Sequence, residues 1–180
     1  AYCDLVSSGE IEMGDKINFV VPTGNFGNIL AGYYAKKMGL PIDKLICASN
    51  SNNVLTEFFV SGTYDANREF FKTMSPSMDI LISSNLERLI FELSGRDTTL
   101  TAERMEELKT TGKYTISDKE KEMLDQEFFA DFTDEEECSD TIADIFEEFG
   151  YVLDTHTAVA MNVKNAYSDY SIDNIKIIEV

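Results

Sequence analysis

The sequence predicts an α/β fold, a three-layer open parallel sheet with flanking helices. Apolar runs of strand length alternate with segments whose apolar residues recur at helical spacing. The first two runs, around Val20 and Ile46, are nearly continuous, as expected of strands covered on both faces. Between them, Pro22-Thr-Gly-Asn-Phe-Gly-Asn28 joins strand to helix, at the sheet edge where open parallel folds bind ligands.

Lys16–Val21 reads as the first strand through Ile17, Phe19, Val20 and Val21. In the helix that follows, Ile29, Leu30, Tyr33, Tyr34 and Met38 recur at helical spacing, Ala31, Gly32 and Ala35 allow close packing, and Gly39 with Pro41 gives a stop. Lys44–Ala48 is the second strand, completing a right-handed parallel βαβ unit. Ser49–Asn53, five small polar residues, make a turn and cap before a helix from Val54. Tyr64–Ser77 reads as irregular and Met78–Ile82 as a short strand, and Ser83-Ser-Asn85 caps a helix through Leu86, Leu89, Ile90 and Leu93 that Gly95 ends.

From Thr99 the pattern becomes short acidic helices. Thr101–Lys109 is one; Ser117–Glu120 is a capping box before Met123 and Phe128; Thr133–Glu136 is another, opening a helix with Ile142, Ile145, Phe146 and Phe149 on one face and closed by Gly150. Asp154 caps a helix over Thr155–Tyr167, and Ile175–Val180 is a final strand. Residues 1–180 thus read as a single partial domain with 99–150 as an acidic helical insertion, without internal repeats. The chain opens without Met and closes on a core-like strand, whereas domain termini are usually surface segments. The expectation is a piece of a longer protein, prone to self-association through exposed sheet edges.

Composition narrows the partners. With 15 Lys+Arg against 33 Asp+Glu the formal charge is −18, which repels nucleic acid and anionic bilayers. Much of that charge lies between Glu103 and Glu148, away from the glycine loop. Cys3, Cys47 and Cys138 are widely spaced and accompanied by a single His, so neither a disulfide framework nor a metal site is expected. The apolar runs are short for a membrane span and the chain opens on no signal-like segment, so it reads as cytoplasmic.

The glycine loop carries the chemistry. Backbone N–H groups at a helix N-terminus, approached through glycines, bind a phosphate dianion. No Gly-Lys-Ser/Thr follows and the third glycine of the dinucleotide fingerprint is lacking, which disfavours ATP and NAD and favours a single terminal phosphate. His156 sits in the first turn of a helix without a Cys or Ser partner at motif spacing and reads as structural; Asp154 reads as an N-cap and Cys47 as an inert core thiol. Asn50, Asn52 and Asn53 are candidates for binding a substrate's phosphate, from their place after a strand.

Pro22-Thr-Gly-Asn-Phe-Gly-Asn28 closely resembles the cofactor loop of threonine synthase, a pyridoxal-phosphate enzyme of the tryptophan-synthase β fold (fold-type II). Ala48–Val54, Ser77–Arg88 and Tyr151–Ala160 are similar in the same order, the last with Asp154-Thr-His-Thr-Ala158 where the family commonly has Asp-Pro-His-Thr-Ala. The resemblance implies conversion of O-phosphohomoserine and water to threonine and phosphate. It implies that Gly24, Asn25, Phe26 and Asn28 hold the phosphate of pyridoxal 5′-phosphate, with Gly27 permitting the turn. The family's Schiff-base lysine stands in a Lys-Asp motif upstream of the loop, and its hydroxyl partner for the pyridine nitrogen follows the strand that here ends at Val180. Lys16 is the only lysine before the loop, at the wrong end of its strand. No catalytic residue is therefore assigned within the chain, which is expected to be inactive alone. The alternative is a module of the same fold that holds a phosphorylated small molecule without acting on it.

Overall fold

A computed structural model describes residues 1–171 and 175–179. Four parallel strands form the central sheet in the order β5-β2-β1-β6: β1 (Ile17–Pro22), β2 (Ile42–Ser49), β5 (Phe128–Phe132) and β6 (Lys176–Glu179). Successive side chains of a strand point to opposite faces, and both faces are covered. Val21, Leu45 and Cys47 enter one cluster with α2 (Gly27–Lys37), α3 (Val54–Ser61) and α4 (Leu86–Leu93). Val20, Ile46 and Ala48 enter the other with α7 (Glu135–Phe149) and α8 (Thr155–Tyr170). This is the expected α/β architecture of a parallel sheet flanked by helices.

Two local devices join β2 to its neighbours. Gly32 brings α2 onto β2 so closely that a Cβ there would lie 2.9 Å from Leu45 Cδ2. The register of β1 on β2 slips between Ile17 and Phe19, and the buried Asn18 fills the irregularity by accepting the Lys44 N–H at 2.8 Å.

Several expectations change. Met78–Ile82 is not a strand: a 3₁₀ turn at Pro76–Met78 closes its backbone bonds locally, and of its three residues Met78 alone is buried. Residues 63–65 and 113–115 instead form a separate two-stranded antiparallel sheet of β3 (Thr63–Asp65) and β4 (Lys113–Thr115), on which Tyr64 and Tyr114 stack 5.5 Å apart. The acidic stretch 99–150 supplies a strand of the main sheet, because Phe128 and Ala130 face one core cluster while Phe129 faces the other, with period two. Its last capping box is Asp134 with Glu137; Thr133 is buried and donates to Val159 O at 3.1 Å. Residues 2–8, for which no element was expected, form α1 (Tyr2–Ser8). On α7, Ile142 and Ile145 pack inward while Phe146 and Phe149 stay exposed. Val180 lies outside the described residues. No described helix is long and apolar enough to cross a membrane, and no described group of His, Cys, Asp or Glu could hold a metal ion.

The remaining helices, α5 (Thr98–Thr111) and α6 (Asp118–Glu127), are tied by a buried bidentate pair: Arg104 Nη1 and Nη2 each donate to a Glu120 oxygen at 2.6 Å. Glu120 also completes the Ser117 capping box. Burial acts to raise its pKa, but the Arg104 fork and the Ser117 bonds outweigh it and bring the carboxyl down to about 2 from an ordinary 4.5. Arg104→Ala, which strands a buried carboxylate, should cost on the order of 3 kcal/mol in urea unfolding. Because the folded pKa is depressed, Glu120 contributes its full stability above about pH 4.5 and loses it as pH falls toward 2. That part of the acid limb should be missing from the Arg104→Ala unfolding curve.

Candidate functional site

Strand β1 ends by hydrogen-bonding into its neighbour: the Thr23 N–H donates to Ala48 O at 2.8 Å and its hydroxyl to Val21 O at 2.7 Å. The chain then turns through Gly24 and Asn25 into Phe26, whose φ of 63° and ψ of 12° place it in the left-handed region immediately before α2. That conformation costs a side-chain-bearing residue about 1–2 kcal/mol. Ring burial holds it, with the Phe26 ring 6.1 Å from that of Phe59 and 5.9 Å from that of Phe128. Phe26 therefore belongs to the site through its backbone, while its side chain belongs to the core.

Gly27, expected to permit the turn, has no positive φ and simply opens α2; Phe26 makes the turn. Gly24 is required for another reason. A Cβ there would lie 2.9 Å from Ser77 O and 3.2 Å from Met78 Cα, so the loop and the 3₁₀ turn meet backbone to backbone.

Among the described residues, no hydrogen bond uses the backbone N–H groups of Gly24 through Ile29. Those of Gly27, Asn28 and Ile29 are the free donors of a helix N-terminus, where the dipole favours an anion. They open on a cleft of about 320 Å³, with Gly24–Ile29 on one side and Ser77, Met78, Asn85 and His156 on the other. In a chain of formal charge −18, no described Asp or Glu lines this cleft. A larger groove of about 850 Å³ beside β5 mixes aromatic residues with Asp43, Lys44, Lys121 and Asp125, and is not built on a helix N-terminus.

The loop is clamped from outside. Ser83 Oγ donates to Gly24 O at 2.9 Å, and Asn85 donates to Asn25 O through its N–H at 3.1 Å and its amide at 2.8 Å. Tyr64 OH accepts the Ser83 N–H and donates to Leu81 O, both at 2.9 Å. Burial pushes the phenol up to about 12, so it keeps the proton this bridge needs.

Behind the 3₁₀ turn, Asn50 and Asn52 are buried and spend their side chains internally. Both amides donate to Asp79 Oδ1, at 2.8 and 3.0 Å, and Asn52 exchanges two further bonds with the Phe71 backbone. Burial acts to raise the Asp79 pKa, but donors from Thr73, Asn50 and Asn52 hold it below the usual carboxylate range. Asn53 Oδ1 accepts from Arg68 at 2.8 Å. Of the three asparagines read from the sequence as ligand candidates, Asn50 and Asn52 thus brace the turn that walls the cleft, and Asn53 holds Arg68.

Asp154 caps α8 as expected, accepting the N–H groups of His156 and Thr157. The Thr157 hydroxyl, outweighing a small upward push from burial, leads the bonds that hold its pKa down. His156, read as structural, lines the cleft, and Ser77, Met78 and Asn85 complete a wall that the sequence reading missed as site residues. The available signal was in the similar stretches Ser77–Arg88 and Tyr151–Ala160. Cys47 is fully buried and pushed up to about 12 by burial, an unreactive thiol. Lys16 sits at the opposite end of β1, paired with Asp43 at 2.7 Å, and no described lysine lines the cleft. The arrangement can hold a small dianion; it contains no activated nucleophile.

No family model matches the chain. It is 47% identical over 170 residues to threonine synthase-like 1 of Homo sapiens, covering 94% of this chain and 23% of that protein. To threonine synthase of Saccharomyces cerevisiae it is 45% identical, covering 81% of this chain and 31% of the enzyme. The crystal structure of pyridoxal-phosphate-bound threonine synthase from Brucella melitensis superposes with a TM-score of 0.90 at 39% identity, over 99% of this chain and 38% of that one. The chain therefore spans between about a quarter and two fifths of these relatives' lengths. In sequence and in fold it is a homologue of threonine synthase.

Proposed function

We propose that the chain forms the cofactor-phosphate half of a pyridoxal-phosphate lyase of the threonine synthase type, whose reaction is the conversion of O-phosphohomoserine and water to threonine and phosphate. The observation that carries this reading is the run of N–H groups from Gly24 through Ile29, unpaired among the described residues, at a cleft that no described carboxylate lines. A terminal phosphate fits that donor set, since helix N-termini bind phosphate dianions.

In this reading Gly24, Asn25, Phe26, Gly27 and Asn28 bind the phosphate of pyridoxal 5′-phosphate, chiefly through backbone N–H groups. What the cofactor supplies when bound is an electron sink for chemistry next to the substrate's amino group. The residues of this chain anchor and orient. Phe26 fixes the direction of the N–H groups because its ring cannot leave the core, and Ser83 with Asn85 keeps the carbonyls of Gly24 and Asn25 turned away from the anion. With no lysine in the cleft, proton transfer between substrate carbons needs a group from outside it, and the chain by itself should not catalyse.

Pyridoxine 5′-phosphate, which has no aldehyde to react with surface lysines, should bind the chain in an equilibrium titration; inorganic phosphate should compete and unphosphorylated pyridoxine should not bind. Equal binding of the phosphorylated and unphosphorylated forms would remove the phosphate cradle. After incubation with pyridoxal phosphate and borohydride reduction, peptide mapping should find no stoichiometric adduct, and one attached to a single lysine would overturn the claim that the chain lacks the Schiff-base residue.

The two glycines should separate. Gly24→Ala should destabilise the fold by about 1–3 kcal/mol in urea, since backbone must yield to the new methyl. Gly27→Ala, whose Cβ meets nothing closer than Asn85 Nδ2 at 3.6 Å, should leave stability unchanged or slightly raised while weakening pyridoxine 5′-phosphate.

A further inference from the structure

We infer that His156 is a positioning residue of this cleft, its Nε2 lone pair holding the Ser77–Met78 turn against the glycine loop. The inference rests on the phosphate reading of the cleft proposed above.

The Ser77 N–H donates to His156 Nε2 at 3.3 Å. That nitrogen therefore carries no proton, and the neutral ring places its hydrogen on Nδ1, which lies 3.3 Å from Asp154 Oδ1. The carboxylate is itself fixed by capping α8, so the ring is oriented from behind by the helix cap and reaches forward to the turn. One residue earlier, Thr155 Oγ1 donates to Met74 O at 2.6 Å. The first turn of α8 thus grips the segment 74–77 at both ends.

What that segment does next connects the imidazole to the ligand site. Ser77 O is the atom 2.9 Å from where a Gly24 Cβ would stand, so the turn and the glycine loop are already at their closest approach. A shift of Ser77 moves one wall of the cleft without touching the donors on the other. Asn50, Thr73 and Asp79 brace the turn from its inner side, which leaves Ser77 at its exposed end with His156 as the side chain holding its N–H. α8 packs on one face of the sheet and α2 on the other, and His156 lines the same cleft as Gly27, Asn28 and Ile29 at the start of α2.

Three substitutions separate acceptance of a hydrogen bond from mere bulk. His156→Gln keeps a side-chain acceptor, His156→Lys offers only donors, and His156→Ala offers neither. Pyridoxine 5′-phosphate affinity should fall about fivefold in the Ala and Lys variants and stay within about twofold of wild type in Gln. In the unliganded chain, amide exchange at Ser77 should accelerate in Ala and Lys but not in Gln, with melting temperature unchanged. Gln as weak as Ala, or unaltered binding and Ser77 exchange in all three variants, would overturn the inference while wild-type binding keeps the phosphate reading. Wild type that fails to bind would overturn the phosphate reading and this inference with it.

Discussion

A phenylalanine held in a left-handed backbone conformation is the constraint on which the candidate site depends. Phe26 takes a conformation usual for glycine, and it persists because its ring is locked among Phe59 and Phe128. Those partners come from α3 and from β5, elements distant in sequence that meet only once the sheet has assembled. The hydrophobic effect thereby sets the direction of polar donors: burying one ring aims the N–H groups that follow it. The site needs no side-chain cation for an anion, which is consistent with a cleft that bears neither lysine nor arginine.

Around that fixed point the walls are built in layers of hydrogen bonds. Ser83 and Asn85 hold the loop carbonyls, Tyr64 holds Ser83, and Tyr114 stacks on Tyr64. On the far side Asn50 and Asn52 hold Asp79, which holds Thr73 and with it the turn that presses on Gly24. Both chains of contact run through polar groups that are buried or partly buried, where an unmet donor or acceptor is expensive. A site assembled this way is rigid because each member is satisfied by the next.

Much of this was legible in the sequence, and the boundary is physical. The βαβ unit could be read because burial on both faces leaves continuous apolar runs, and the glycine loop because its position after a strand and before a helix is local information. Phe128–Phe132 was misjudged since five residues of period two at the end of an acidic helical pattern look like a helix face until the pairing with β2 is known. Met78–Ile82 departs from expectation for the opposite reason: its backbone closes in a local turn, and the side chains that brace that turn are asparagines some thirty residues earlier. His156 could not be placed because its partner lies across the fold. Asn50 and Asn52, ligand candidates in the sequence, are buried and bonded to Asp79 and the Phe71 backbone, and such burial cannot be read from a run of small polar residues.

The Phe26 anchor has a consequence for the coupling between folding and binding. Because the ring's contacts are long-range, the donors acquire their aim only in the fully packed state, and a partly folded chain presents the same glycines without the cradle. A ligand that recognises only the packed state draws the folding equilibrium toward it in proportion to how far its concentration exceeds its dissociation constant. Occupancy of the cleft is then a report on the completeness of an aromatic core drawn from distant parts of the sequence, and a ligand held there acts as a keystone for a sheet it meets only at the end of β1.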